Sequence, residues 1–356
     1  MKIAVLLSGG VDSSVALALL KEQYGKKALE AFYLKIWLED ELAYLGNCPW
    51  EEDLSYVEAV CKQLDIKLNI LSLQKEYFKE VVGYTTQEIK SGRTPNPDVL
   101  CNQKVKFGAF LSKIDSSFDF VATGHYAQIE RIDNQTLLKC SKDEIKDQTY
   151  FLAQLNEEQI SRALFPIGHL SKDEVRALAQ QYNLPNMNRK DSQGICFLGK
   201  LKFNDFIKAH LGEKKGNLIE FETGKKLGTH NGFWFYTLGQ RQGIGLSHGP
   251  WYVVSKDIKN NIVYISSNYY SNDKKRDNLI IESCNWLINK PNQDIFNKKL
   301  KIKLRHGPKF NYASLTQIDN DKYQIILDHN DQGIAPGQFA VIYDDNICIL
   351  SGIISN

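Results

Sequence analysis

The feature that most constrains the fold lies at the very start of the chain, in AVLLSGGVDSSVALALL (residues 4–20). A continuous apolar run passes into Ser8, Gly9 and Gly10, then into Asp12, Ser13 and Ser14, and at once into a second apolar run with helical spacing. The first run is short enough for a strand and apolar on both faces, as a strand covered on both sides must be. Glycine lets the backbone take the sharp turn that starts a helix directly at the strand's end. Strand, tight loop and helix make the first half of a βαβ unit, so the N-terminal part is predicted to be a parallel sheet flanked by helices.

The first 200 residues keep to that pattern. Apolar runs at Lys2–Leu7, Ala28–Ile36, Lys67–Leu71 and Phe120–Thr123 read as strands, and segments near 13–24, 51–64, 75–91 and 101–114 read as helices. Ser171 and Glu174 form a capping-box pattern that opens a further helix ending near Asn183. Beyond 200 the texture changes to glycine-rich, strand-forming sequence, with a hairpin predicted over 251–267 and a polar linker at 271–278. Runs at 279–288, 299–305, 312–318, 322–328, 338–343 and 346–354 predict a small β-barrel. A chain of 356 residues exceeds what one core usually holds. The predicted organisation is therefore α/β, with an N-terminal parallel-sheet domain over 1–200, a small β-rich domain over 201–270 and a C-terminal barrel over 271–356.

The formal net charge is only +2, so any nucleic-acid contact must come from local basic clusters. No apolar run approaches the roughly 20 residues of a membrane helix. The seven cysteines form no CxxC pair and no metal-ligand cluster is predicted. Their odd number and the lack of a signal-peptide pattern lead to the expectation of a cytoplasmic protein without a membrane partner.

The loop between the first strand and helix has the make-up of an anion site. Its glycines let amides approach oxygens closely, and Ser13 and Ser14 stand at a helix N-terminus. It lacks the Gly-Lys-Ser/Thr of a phosphate-binding Walker loop and is not G-x-G-x-x-G. SGGxDS after a first strand resembles the PP-loop of ATP pyrophosphatases. That resemblance implies ATP bound by Leu7, Ser8, Gly9, Gly10, Val11, Asp12, Ser13 and Ser14, with AMP transferred to an oxygen. A glycine turn with a capping serine would account for the shape, but Asp12 fits better as an organiser of Mg2+ or pyrophosphate.

Two cysteines stand out. In GRTPNPDVLCNQKVKFG (92–108), Asn96 and Pro97 read as a helix N-cap and first-turn proline. Asp98, Cys101 and Lys104 then share one face. A thiol near a helix start and a lysine is activated as a nucleophile, and Asp98 beside it can move a proton. Burial as a small hydrophobe is the competing reading, although the sequence neighbours are polar. In KDSQGICFLG (190–199), Cys196 sits in either a loop or a short buried strand, and its own surroundings leave the two readings even. Cys61, Cys140, Cys284 and Cys348 fall in apolar patterns, and Cys48 is unassigned.

SGGVDSS, RTPNPDVLCN, ATGHYAQ (122–128), KDQTYFL (146–152), KDSQGICF (190–197) and YTLGQRQGIG (236–245), in that order, resemble the tRNA-specific 2-thiouridylases over essentially the whole chain. The resemblance implies 2-thiolation of the wobble uridine in lysine, glutamate and glutamine tRNAs, using ATP, Mg2+ and sulfur relayed from a cysteine desulfurase or sulfur-relay protein. It implies a persulfide on Cys196, attack by Cys101 with closure of a Cys101–Cys196 disulfide, and acid/base action by Asp98. It places Leu34, where methionine is common in the family, and Gly124 at ATP. It places Asn96, Pro97 and Asp98 at the target base, and His125, Lys146, Asp147, Gln148, Arg305, His306 and Gln338 at tRNA. Leu300, Ile302 and Leu304 alternate with Lys301, Lys303 and Arg305, so a strand here is expected to turn its basic residues to one outer face. A solvated edge guarded by lysines gives the same pattern. The rival functions are a PP-loop ligase or amidotransferase acting on a small metabolite, and a non-catalytic RNA-binding module. Neither needs both Cys101 and Cys196.

Overall fold

The computed structural model describes residues 1–36, 50–133, 135–190, 203–271, 273, 276–288 and 293–355. The strands of the N-terminal half are β1 (Ile3–Leu7), β2 (Leu29–Lys35), β3 (Leu68–Ser72), β4 (Phe120–Ala122), β5 (Gln128–Ile132), β6 (Gln135–Lys139) and β7 (Ala163–Leu164). Five of them form a parallel sheet in the order β3-β2-β1-β4-β7. All five residues of β1 are buried, which is why its sequence shows no alternation. The chain winds from β1 outward through β2 and β3, then returns to the other side of β1 with β4. The loop after β1 therefore lies where the winding reverses, the place where open α/β sheets bind ligands.

Helices cover both faces. Val11–Tyr24 and Trp50–Leu64 pack against one core, and the helical stretches over 74–90 and 97–113 pack against another. The predicted capping box is present in both directions: Ser171 caps the Glu174 amide, and Glu174 returns to the Ser171 amide.

The central part holds β8 (Gly216–Glu220), β9 (Lys226–His230), β10 (Tyr252–Asp257) and β11 (Ile262–Ser266) in the order β10-β11-β8-β9. The predicted hairpin is β10–β11, and the β11–β8 pairing is parallel. The C-terminal strands are β12 (Asn278–Trp286), β13 (Leu300–Lys303), β14 (Asn311–Asp319), β15 (Lys322–Leu327), β16 (Phe339–Asp344) and β17 (Ile347–Ile354). They run β12-β15-β14-β13-β16-β17, and β12 also pairs with β17, closing a six-stranded barrel around Leu300, Ile302, Ile325 and Ile342. Arg276 joins the two parts, donating to the carbonyls of Val254 and Ile334.

Two features depart from the expected layout. The β5–β6 hairpin leaves the N-terminal domain and adds to the barrel, with Leu138 and Lys139 opposite Cys348 and Ile347 of β17. The basic stripe at β13 is also not solvated along its whole length, since Lys301 is half-buried and only Arg305 is exposed. Lys303 is buried, its ammonium 2.8 Å from the Asp147 carboxylate and 4.5 Å from the centre of the Phe310 ring. Strand alternation puts Lys301 and Lys303 on the side opposite the barrel core, as expected. At Lys303 that side is covered by the segment following β6.

Candidate active site

Leu7 ends β1, Gly9 takes φ +80°, and Gly10 caps the helix from an extended conformation. The first-turn amides of Val11, Asp12 and Ser13 have no carbonyl one turn back to bond. Carbonyls and hydroxyls of the loop are instead tied inward. Ser13 and Ser14 both donate to the Gly10 carbonyl, at 3.0 and 3.1 Å, and Asn186 Nδ2 donates to the Gly9 carbonyl and Ser14 Oγ. The Ser8 amide donates to Ser13 Oγ at 3.3 Å. Such a turn fits an oxyanion by its amides and helix dipole.

Asp12, one-third exposed, accepts from Lys172 Nζ at 2.7 Å and from the Tyr126 hydroxyl at 3.0 Å, both on the same carboxylate oxygen. Gly124 follows β4 and touches the helix start: a Cβ there would come 2.6 Å from the Ser13 nitrogen. Leu34 is half-buried and lies one residue past the β1–β2 pairing of Leu7 with Tyr33, so it stands at the sheet edge that carries the loop. His125 bonds Thr123 through Nδ1 at 2.7 Å and meets Phe165 edge to face. Burial pushes its pKa well below the usual value, so the ring is neutral.

The Cys101 segment folds as predicted at its start. Asn96 caps the Val99 amide at 3.4 Å and Pro97 fills the first turn. From Cys101 to Ala109 the helix is wound as a π-helix, a form often met at functional sites. Cys101 is 1% exposed and packs within a cluster that includes Val99, Val105 and Phe107. Asp98 is half-buried one turn before it.

The barrel meets this helix start. Gln338 Nε2 donates to the carbonyls of Thr94 and Pro95, each at 3.0 Å, and the Thr94 amide donates to the Pro336 carbonyl at 2.7 Å. The Tyr150 hydroxyl donates to the Phe339 carbonyl at 3.1 Å. Gly337, at φ +91°, lies so close that a Cβ would come 3.0 Å from Thr94 backbone atoms.

In the 146–148 triplet, the Lys146 amide bonds Asp143, Asp147 is sealed against Lys303, and Gln148 Oε1 accepts from the Tyr126 amide at 3.0 Å. Tyr126 thus ties the Asp12 loop by its hydroxyl to the 146–148 segment by its backbone. His306 donates from Nε2 to the Asp147 carbonyl at 3.2 Å and stacks on Phe151 at 4.6 Å. Burial lowers the His306 pKa, while the charges of Asp147 and Asp98 oppose that shift. Arg305 is exposed and pairs with both carboxylate oxygens of Asp331.

The structure therefore gathers two groups: residues 7–14 with Leu34, Gly124, His125, Tyr126 and Lys172, and residues 94–101 with 146–151, 305–306 and 336–338. Cys196, its disulfide with Cys101, and Cys48 lie outside the described residues. Lys172, Tyr126 and Asn186 were missed by the sequence reading. Their only signals were a place inside the capping-box helix, inside ATGHYAQ, and in a polar turn.

Three adjoining family models match: "tRNA methyl transferase HUP domain" over residues 1–200, "tRNA methyl transferase PRC-barrel domain" over 204–267 and "Aminomethyltransferase beta-barrel domain" over 276–354. The chain is 46% identical over 357 residues to the tRNA-specific 2-thiouridylase of Parabacteroides distasonis, covering 99% of both chains. It is 47% identical over 359 residues to one from Bacteroides thetaiotaomicron, covering all of both. A Porphyromonas gingivalis relative with the same activity in its name is 44% identical over 362 residues, covering all of this chain and 99% of its own. Identity at this level, from end to end, places the chain in the tRNA-specific 2-thiouridylase family.

Proposed function

We propose that the protein converts the wobble uridine of lysine, glutamate and glutamine tRNAs to 2-thiouridine at the expense of ATP, in the cytoplasm. The observation that carries this reading is the end-to-end likeness to 2-thiouridylases. The loop at Asp12, a turn that fits an oxyanion at a helix start, supports it.

Oxygen at C2 of uracil is a poor leaving group. In the proposed first step that oxygen attacks the α-phosphorus of ATP, an O–P bond forms and the bond to pyrophosphate breaks. Leu7–Ser14 hold the phosphates, Leu34 walls the adenine, and Gly124 lets the β4 loop close on the helix start. A magnesium ion would be held by the Asp12 carboxylate, since Mg2+ takes one or two carboxylates together with substrate phosphates. When bound it neutralises phosphate charge. Asn96, Pro97 and Asp98 bind the base after it leaves the anticodon stack.

Sulfur arrives as a persulfide on Cys196, loaded by a cysteine desulfurase or a relay protein. The Cys101 thiolate attacks the Cys196 sulfur, hydrosulfide leaves, and a Cys101–Cys196 disulfide forms. Hydrosulfide adds to C2 and AMP departs, with Asp98 moving the proton. An external dithiol returns the two electrons that reopen the disulfide. His125, Lys146, Asp147, Gln148, Arg305, His306 and Gln338 line or shape the tRNA surface, and Asp147 does so through its buried pairing with Lys303.

The test is nucleoside mass spectrometry on unmodified glutamate tRNA incubated with ATP, Mg2+, cysteine and a cysteine desulfurase. Wild type should yield 2-thiouridine, and Cys101→Ser and Cys196→Ser should not. AMP formation driven by a small metabolite, with no thiouridine, would support the ligase reading instead.

A further inference from the structure

Arg189 stands beside the glycine loop, and the adenylation scheme gives it no part. Its guanidinium donates through Nη2 to Oδ1 of Asp53. Among the described residues no acceptor meets its Nη1. That nitrogen faces the loop, since a Cβ built on Gly9 would come 2.8 Å from it. The side chain is held in place: it is 19% exposed and lies over the Tyr56 ring at 4.8 Å. Its backbone is held too. Arg176 donates to the carbonyls of Arg189 and Met187, and the Arg189 amide donates to Asn186. Asn186 in turn bonds the Gly9 carbonyl.

A guanidinium is a planar fork suited to two parallel bonds with one anion. Here one prong is tied to a carboxylate and the other is open beside a turn built for oxyanions. Burial raises the Asp53 carboxyl pKa, and the guanidinium beside it acts against that shift. In adenylyl transfer the departing phosphates gain negative charge as the bond to the α-phosphorus breaks. A fixed cation at the loop acts most strongly on that growing charge.

We propose that Arg189 is a further ATP-binding residue, its guanidinium bonding an oxygen of the phosphates that leave as pyrophosphate, with Asp53 as its counter-ion. This rests on the ATP reading of the loop given above.

The test is calorimetric titration of the full chain with ATP, inorganic pyrophosphate and AMP, each with Mg2+, in wild type, Arg189→Gln, Arg189→Lys and Asp53→Asn. Arg189→Gln should weaken ATP and pyrophosphate by about tenfold or more, the scale of one lost charge-assisted bond. AMP should be unaffected, Arg189→Lys should recover part of the loss, and Asp53→Asn should bind ATP at least as well as wild type. Unchanged ATP binding in Arg189→Gln overturns the proposal, as does an equal loss of ATP and AMP or an equal loss in Asp53→Asn. If Arg189→Gln does not fold, Arg189→Lys decides: ATP weakened relative to AMP supports the proposal, and no difference between them overturns it. Wild type that binds none of the three would overturn the ATP reading itself.

Discussion

Asp147 and Lys303 face each other at 2.8 Å with side chains 2% and 1% exposed, joining the segment after β6 to the end of β13. The carboxylate also accepts from the Ser141 amide and the Thr149 hydroxyl. The ammonium lies over Phe310. Every partner is thus supplied by the protein. Removing one member strands the other charge. Lys303→Met should cost about 3–5 kcal/mol in urea unfolding, and adding Asp147→Leu should recover much of it. Equal destabilisation by the single and double variants would show that the ionic pairing is not what matters.

Gln338 holds the turn that precedes the Cys101 helix by two bonds to carbonyls. Gln338→Ala leaves both without that donor, at about 1–3 kcal/mol for each that stays dry. The expected outcome is a fall in the thiolation rate with ATP affinity unchanged, because the loop at Gly9 is held by other residues. Single-turnover kinetics beside ATP titration would show the split, and loss of ATP binding would contradict it.

Gly124 lies against the first turn of the Val11–Tyr24 helix, where a Cβ would come 2.6 Å from one backbone nitrogen and 2.8 Å from Asp12 and Ser13 carbons. Backbone cannot swing aside as a flexible side chain can. Gly124→Ala should therefore weaken ATP binding by about tenfold while the barrel stays folded. Wild-type affinity in this variant would mean that the loop does not need the close approach.

His125 and His306 are both held below their ordinary pKa, in each case chiefly by burial. The folded state disfavours their protonation and the unfolded chain does not. Their neutral forms keep full stability above the unfolded value near 6.5, and that stability is lost as pH falls below it. Urea midpoints taken between pH 7.5 and 5.5 should drop, and His306→Gln should flatten the slope. An unchanged slope in His306→Gln would show that its ring is solvated in practice.

Much of the site was legible because local rules govern it. The Ser8–Ser14 loop, the Asn96 cap with Pro97, and the Ser171 box each depend on residues within a few positions of one another. The barrel strands were legible from alternation. What alternation cannot show is which solvent covers a face, so Lys303 read as an outer lysine when its cover is another domain. Asp12 with Lys172, and Arg189 with Asp53, are contacts between residues far apart in sequence, set by the winding of the sheet. The burial of Cys101 was not legible for a related reason: its sequence neighbours are polar, but in space it packs with Val99, Val105 and Phe107.

The β5–β6 hairpin bears on how the protein is made. Lys139 and Leu138 pair with Ile347 and Cys348, which are made long after them. Until Ile347 and Cys348 emerge from the ribosome, β6 presents a bare strand edge. β6 therefore gains its second partner strand only once β17 has been made. Truncation before β17 should leave an aggregation-prone fragment, and few nascent chains released early would pass as working enzyme.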